Sequence, residues 1–381
     1  MSRDFLRQMP GAHQYLRGGS NIFYRLHIDP ILFFLLILLC AIGLGILYSA
    51  SGQSLEHVER QFLRLSVAFV VMFVFAQLDP IVYKRWSPWL FILGLAALVG
   101  VLFFGVGAKG AQRWLQLPGL PRFQPSEFMK LVVPMMVAWY LSSRYLPPSL
   151  KVVIVSLVIV FVPVVLILKQ PDLGTSLLIA SAGIFVLMFA GLKWRMVAGF
   201  FAVVAAFAPV LWMFIMHDYQ RQRVLTFLNP ESDPLGSGWN IIQSKTAIGS
   251  GGFWGKGWLN GTQSQLDFLP ESHTDFIIAV CAEEFGFIGV LGLLSVYLLI
   301  IFRGLFIALK AQDSYSRILS GSLVLTFFIY IFVNIGMVSG ILPVVGVPLP
   351  LVSYGGTSAV TIMAAFGVLM SVHTHRKMLT R

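Results

Sequence analysis

The stretch Phe268-Leu-Pro-Glu-Ser-His-Thr-Asp-Phe-Ile-Ile-Ala-Val-Cys-Ala-Glu-Glu284 passes from a long polar segment into an apolar run and carries Asp275 across the boundary. In a chain that is only 11% charged, a carboxylate at such a border needs a reason. Ser272 or Thr274 suits the N-cap of the next helix, which predicts Asp275 in its first turn. There the helix dipole and free amides favour the ionised form. An ionised carboxylate at the edge of an apolar layer is placed to take a proton from a substrate hydroxyl. The other reading makes Asp275 a capping residue and nothing more, and the residues by themselves weigh the two equally. Glu283 and Glu284 follow two turns deeper, where ionisable groups are costly and either serve function or pair. They stay unassigned.

A second constellation is QRWLQLPGLPRFQPSEFMK, Gln112 to Lys130. Pro125 at a first helical position, with Ser126 and Glu127 behind it, signals a helix start. Glu127 and Lys130 stand three apart on one helix face and so can pair. Within a bundle, loss of either partner would strand a buried charge. A purely structural ion pair and a functional one both fit. Arg113 and Arg122 have no acid close by in sequence, and arginine suits bidentate phosphate binding. A basic cleft beside a carboxylate is what a lipid-pyrophosphate substrate needs. The third constellation is NIGMVSGILPVVGVPLPLVSYGGTS, Asn334 to Ser358, where three prolines and several glycines break the chain between two apolar runs. Broken backbone at membrane depth survives only where protein or a water-filled cavity satisfies it. Lys169-Gln-Pro-Asp172-Leu-Gly174 is a shorter break of the same kind. Helix punctuation accounts for most single residues in both breaks.

The elements that must position these residues are membrane spans. The 381 residues are 57% hydrophobic with mean hydropathy +0.82, against about 45–50% apolar and about 25% charged in soluble domains. The composition predicts an all-α polytopic membrane protein, one domain over 1–381. Ten runs long enough to cross appear near 31–49, 62–78, 89–106, 126–142, 151–168, 173–190, 196–216, 274–302, 317–339 and 355–373. An even number puts both termini on one side. Of the 27 basic residues, 16 fall in the terminal segments and the connections sharing their side, which makes that side cytoplasmic. The 1–30 lead is polar and carries no cleavage-like site, so no signal peptide is expected. The net charge of +11 then reports topology and does not point to nucleic acid. Cys40 and Cys281 both lie inside apolar runs, so no disulfide framework is implied. Two outward segments stand out by length, 107–125 and 217–273. The second lies between the seventh and eighth spans and holds glycines at 236, 238, 249, 251, 252, 255, 257 and 261, which permit close backbone approach to a ligand. Its Ile241-Ile242, Phe253-Trp254 and Leu266–Leu269 pieces are apolar enough to dock on the membrane surface or into the bundle. Its glycine-rich run matches no phosphate-loop fingerprint, so a flexible re-entrant loop is the stronger expectation there. No metal-ligand cluster is readable.

Asn334 to Ser358 resembles the signature of the SEDS family (shape, elongation, division and sporulation). RFQPSE at 122–127, KQPDLGTSL at 169–177 and LPESHTDF at 269–276 resemble that family's other motifs, in order and over essentially the whole chain. GTQSQLDFLPESHTDF and the short lead look more like the elongation branch than the division branch. The resemblance implies a ten-helix inner-membrane protein that polymerises lipid II into glycan strands, and it places the family's catalytic aspartate on Asp275. It also places a buried Glu–Lys pair on Glu127 and Lys130, and pyrophosphate contacts on Arg113 and Arg122. A divalent cation, Mg or Mn, is the alternative neutraliser of the leaving group. The implied partner is a class B penicillin-binding protein that supplies the transpeptidase. Two other classes compete: a lipid II flippase without bond chemistry, and a scaffold that only recruits the penicillin-binding protein.

Overall fold

The computed structural model describes residues 26–375 apart from 109–110, 117–122, 194, 200–201, 203–205, 207–208, 210, 217–220, 222–224, 227–228, 230–236 and 266–270. The described residues are mostly helical. In order they form α1 (Pro30–Ala50), α2 (Leu55–Gln77), α3 (Pro80–Phe104), β1 (Val106–Ala108), β2 (Ala111–Trp114), α4 (Pro125–Ser142), α5 (Leu150–Leu168) and α6 (Leu173–Phe189). A π-helical turn (Leu211–Ile215) precedes α7 (Ser237–Gly251), α8 (Thr262–Gln265), α9 (Ile277–Leu309), α10 (Ser314–Val338) and α11 (Thr357–Thr374). Six of these, α1, α3, α5, α9, α10 and α11, are long and apolar enough to cross a membrane. Residues 200–201, 203–205, 207–208 and 210 of the expected seventh span, 196–216, lie outside the described residues.

Aspartates set the start of four helices by accepting a first-turn amide: Asp29 from Leu32, Asp79 from Ile81, Asp172 from Thr175 and Asp313 from Ser316. Proline at the first helical position follows two of them, at Pro30 and Pro80. α2 begins at Leu55, about two turns before the expected 62, because its opening turns carry Glu56, Glu59 and Arg60, which hydropathy reads as loop.

The apolar core has two main lobes. One joins α1, α2, α9, α10 and α11; the other joins α3 to α6 with α10 and α11. α10 is the most enclosed span, and it buries Ser316, Ser320, Ser322, Thr326 and Asn334. The outer faces of α1, α2, α3, α5 and α9 expose residues such as Phe34, Phe62, Trp89, Val158 and Phe302, which is the surface a bilayer covers.

Two of the expected loops prove to be built. Val106–Ala108 and Ala111–Trp114 pair as an antiparallel ribbon, the one departure from an all-helical fold among the described residues, extended by a bridge between Leu115 and Phe123. Within 217–273, α7 docks into the bundle, through the Ile241-Ile242 pair expected to dock. Ile241 and Ala247 are buried, and Ser244 Oγ donates to the Val338 carbonyl at 2.8 Å. At one end of the bundle the first and last segments meet. Asp29, fully buried, accepts from Arg303 Nε at 3.1 Å and Nη2 at 2.5 Å and lies 3.1 Å from His373 Nε2, while the His27 and His375 rings stack at 3.9 Å. The start of α9, with Asp275 before it, lies at the opposite end.

Candidate active site

Asp275 does not sit in the first turn of a helix. Residues 271–276 form a tight turn in which the Thr274 and Phe276 amides both donate to the Glu271 carbonyl, at 3.1 and 3.3 Å. Phe276 occupies the N-cap of α9 and makes no side-chain cap bond. The two residues expected to cap are occupied elsewhere: Thr274 Oγ1 bonds the Glu271 carboxylate at 2.8 Å and Ser272 Oγ donates to the Ala50 carbonyl at 3.0 Å. Asp275 is half-buried on this turn, just outside the helix.

The broken segment after α10 wraps that turn. Tyr354 N donates to the His273 carbonyl at 2.9 Å, Ser353 Oγ to the Thr274 carbonyl at 2.5 Å, and Asn334 Nδ2 to the Asp275 carbonyl at 2.8 Å. Asn334 Nδ2 also donates to the Val347 carbonyl at 2.8 Å. Gly346, at φ +74°, faces the carboxylate: a Cβ there would lie 3.5 Å from Asp275 Oδ2. Gly174, opening α6, fits beneath the same segment, where a Cβ would come within 2.8 Å of the Val345 carbonyl.

The Glu127–Lys130 pair expected from sequence forms within α4, with Nζ to Oε1 at 2.6 Å in a buried setting. Lys130 Nζ stands 5.0 Å from the Tyr330 ring centroid. Tyr330 lies one turn from Asn334 on α10, so the pair sits one helical turn beneath the residue that holds the Asp275 turn. Glu127 Oε2 is buried with no hydrogen-bond partner among the described residues. Arg113, acid-free in sequence, meets an acid in space. Its Nε lies 3.9 Å from Asp172 Oδ2 and 3.4 Å from the Gln170 carbonyl, and its Nη2 donates to Pro171 O. That ties the β2 ribbon to the start of α6. Arg122 lies outside the described residues.

The glycine-rich stretch approaches protein backbone, not an open ligand cradle. Cβ atoms at Gly251 and Gly255 would come within 2.0 Å of the Ala282 carbonyl and 2.2 Å of the Glu284 carbonyl. α9 breaks its helical pattern at Gly286 (φ 65°, ψ −163°), where Gly255 and Phe253 press against it. Lys256 N and Gly257 N donate to the Glu283 and Glu284 carbonyls at 3.0 and 2.9 Å. Here Glu283 acquires a partner that its sequence neighbourhood does not reveal. Its Oε1 accepts from Lys256 Nζ at 2.7 Å, Thr262 N at 2.8 Å and Gln263 N at 2.9 Å, fastening the segment after α7 and capping α8. Glu284 Oε1 accepts from Ser49 Oγ on α1. Both carboxylates therefore hold elements together, 27 residues apart in sequence for the Lys256 pair.

Around the Asp275 turn stand side chains to which the sequence assigned no role, two of them, His273 and Tyr354, inside its motifs. His57, His273 and Tyr354 form a ring cluster with centroids 5.5 to 5.9 Å apart, and the Arg64 guanidinium stacks on Tyr354 at 4.4 Å. Burial pushes the His273 imidazole below its usual range; His57 adds to that and Glu271 opposes it. Among the described residues, no group of three or more His, Cys, Asp or Glu side chains is placed to hold a metal ion.

Comparison with known proteins gives consistent matches. The peptidoglycan glycosyltransferase MrdB of Escherichia coli K12 is 56% identical over 357 residues, covering 94% of this chain and 96% of that protein. A probable peptidoglycan glycosyltransferase FtsW of Trichlorobacter lovleyi is 36% identical, covering 92% and 94%. Among solved structures, a chain of a peptidoglycan synthase complex that coordinates polymerization and crosslinking superposes with TM-score 0.80 at 31% identity, covering 91% and 97%. The rod shape determining protein RodA of Thermus thermophilus gives 0.68 at 28%, covering 91% and 96%. The family model for FtsW, RodA and SpoVE cell cycle proteins matches residues 30–378. The chain belongs to that family.

Proposed function

We propose that this protein is a peptidoglycan glycosyltransferase that polymerises lipid II into glycan strands, with Asp275 as general base. The observation that carries the reading is a half-buried carboxylate on a turn outside the helix, its backbone held by Asn334 of α10 and its neighbour Thr274 by Ser353 of the proline-broken segment. The 56% identity to a peptidoglycan glycosyltransferase supports the reaction class. Asp275 takes the proton of the 4-hydroxyl on the acceptor N-acetylglucosamine. That oxygen bonds C1 of the donor N-acetylmuramic acid as the C1–oxygen bond to undecaprenyl pyrophosphate breaks, with inversion. The leaving group carries at least two negative charges and needs cations. Arg113 and Arg122 are assigned to it, with a divalent cation as the other neutraliser. The Glu127–Lys130 pair shapes the floor of the site.

Ten spans with both termini cytoplasmic, in the inner membrane, put Asp275 on the outer face where lipid II presents its sugars. The basic-residue distribution supports that orientation. Likeness to one chain of a peptidoglycan synthase complex supports a class B penicillin-binding protein as partner.

The test is reconstitution with that partner, labelled lipid II and a transpeptidase inhibitor. The wild-type protein should make long glycan, and Asp275→Ala should make none while still folding and binding the partner. Polymer from Asp275→Ala would remove Asp275 as base. Lipid translocation without polymer from the wild type would favour a flippase.

A further inference from the structure

Three consecutive carbonyls of the active turn, those of His273, Thr274 and Asp275, each accept a hydrogen bond, and all three donors come from the α10–α11 region: Tyr354 N, Ser353 Oγ and Asn334 Nδ2. We infer that Ser353 and Asn334 are positioning residues for the reaction, fixing where the Asp275 carboxylate stands without touching substrate. The inference rests on the glycosyltransferase reading above.

The geometry of each side chain supports this. Ser353 Oγ does two things at once: it donates to Thr274 O and accepts from Leu349 N at 2.8 Å, so the turn and the proline-rich segment share one atom. Its own carbonyl accepts from Gln61 Nε2 at 3.3 Å, and Gln61 Oε1 accepts from Gly355 N at 3.2 Å. A fully buried glutamine on α2 thereby fixes Ser353 from behind. Asn334, at 0% exposure, spends both Nδ2 hydrogens on the Asp275 and Val347 carbonyls. Its Oδ1 is then left buried with no hydrogen-bond partner among the described residues. Its two donor contacts join the Asp275 turn to the broken segment at Val347, so the amide holds the two backbones in one register. Position matters here because a general base works only within hydrogen-bond reach of the proton it takes.

Steady-state polymerisation by the protein–partner complex on labelled lipid II, at varied lipid II, tests this. Ser353→Ala and Asn334→Ala should lower kcat by about 100-fold, the loss expected for a misplacement near 1 Å, with KM within about twofold, since uniform binding is untouched. Ser353→Thr, which keeps the hydroxyl, should recover most of the rate. Should Ser353→Ala misfold, Gln61→Ala applies the same displacement from behind and should show the same loss confined to kcat. Full activity in both alanine variants overturns the positioning role. So does a loss expressed in KM, or one that Ser353→Thr fails to repair. A wild-type complex that makes no polymer overturns the functional reading itself. A polymerising wild type beside unaffected variants overturns only the positioning role.

Discussion

His273 and Asp275 share one turn, but their surroundings treat them differently. Asp275 is held by its backbone, whereas His273 packs its ring against His57 and Tyr354. Because burial and His57 lower the His273 pKa while Glu271 only partly offsets them, the folded protein binds a proton there less readily than the unfolded chain does. Stability from this group is therefore complete above the unfolded value of about 6.5 and falls as the pH drops through it toward the lower folded value. His273→Gln should flatten that acid-side fall. Thermal unfolding in detergent across this window checks it, and superimposable profiles for the two proteins would refute it. Asp275 was legible in the sequence because its type and border location are both unusual. Asn334 and Ser353 lay in the broken Asn334–Ser358 stretch but their role did not show, and Gln61 did not stand out, since their contacts here span 59 to 292 positions.

At the scale of elements, the break in α9 is a fitted joint. Gly286 adopts φ 65° and ψ −163°, a region open essentially to glycine alone, and a Cβ there would come within 2.3 Å of Gly255 N. Gly286→Ala should therefore destabilise the protein by at least about 1–3 kcal/mol from backbone strain, before the steric displacement of 253–255 is added. A lowered Tm of the purified protein, with 253–257 newly sensitive to protease, is the expected result. An unchanged Tm would show that the joint is loose. The glycines of this stretch were visible in the sequence as permission for close approach. What approaches was not, because the partner is the backbone of a helix distant in sequence, and pairing between the two segments leaves no local pattern. The apolar Ile241-Ile242 pair pointed to docking of this segment, but that it docks as a helix, α7, depends on its packing against α9 and α10.

For the whole molecule, the Asp29 cluster joins the start of α1, the last third of α9 and the end of α11. Asp29 is fully buried, so Arg303→Ala would leave its charge with a weaker set of partners, at a cost on the order of 3–5 kcal/mol. Arg303→Lys should restore only part, because lysine cannot reproduce the two-pronged contact. Unfolding of the three proteins in detergent measures both effects, and an arginine-to-alanine variant as stable as the wild type would show the cluster to be idle. Membrane residence, most helix positions, the Glu127–Lys130 pair and the place of Asp275 at the border of an apolar run followed from the sequence alone, since hydropathy, i,i+3 spacing and a charge in an apolar setting are local properties. Tertiary structure decided what the charges pair with. It gave Arg113 to Asp172, Glu283 to Lys256 and Asp29 to Arg303, and it moved Asp275 out of the helix and into a turn. Those outcomes depend on which helices pack together, and a one-dimensional pattern carries no record of that.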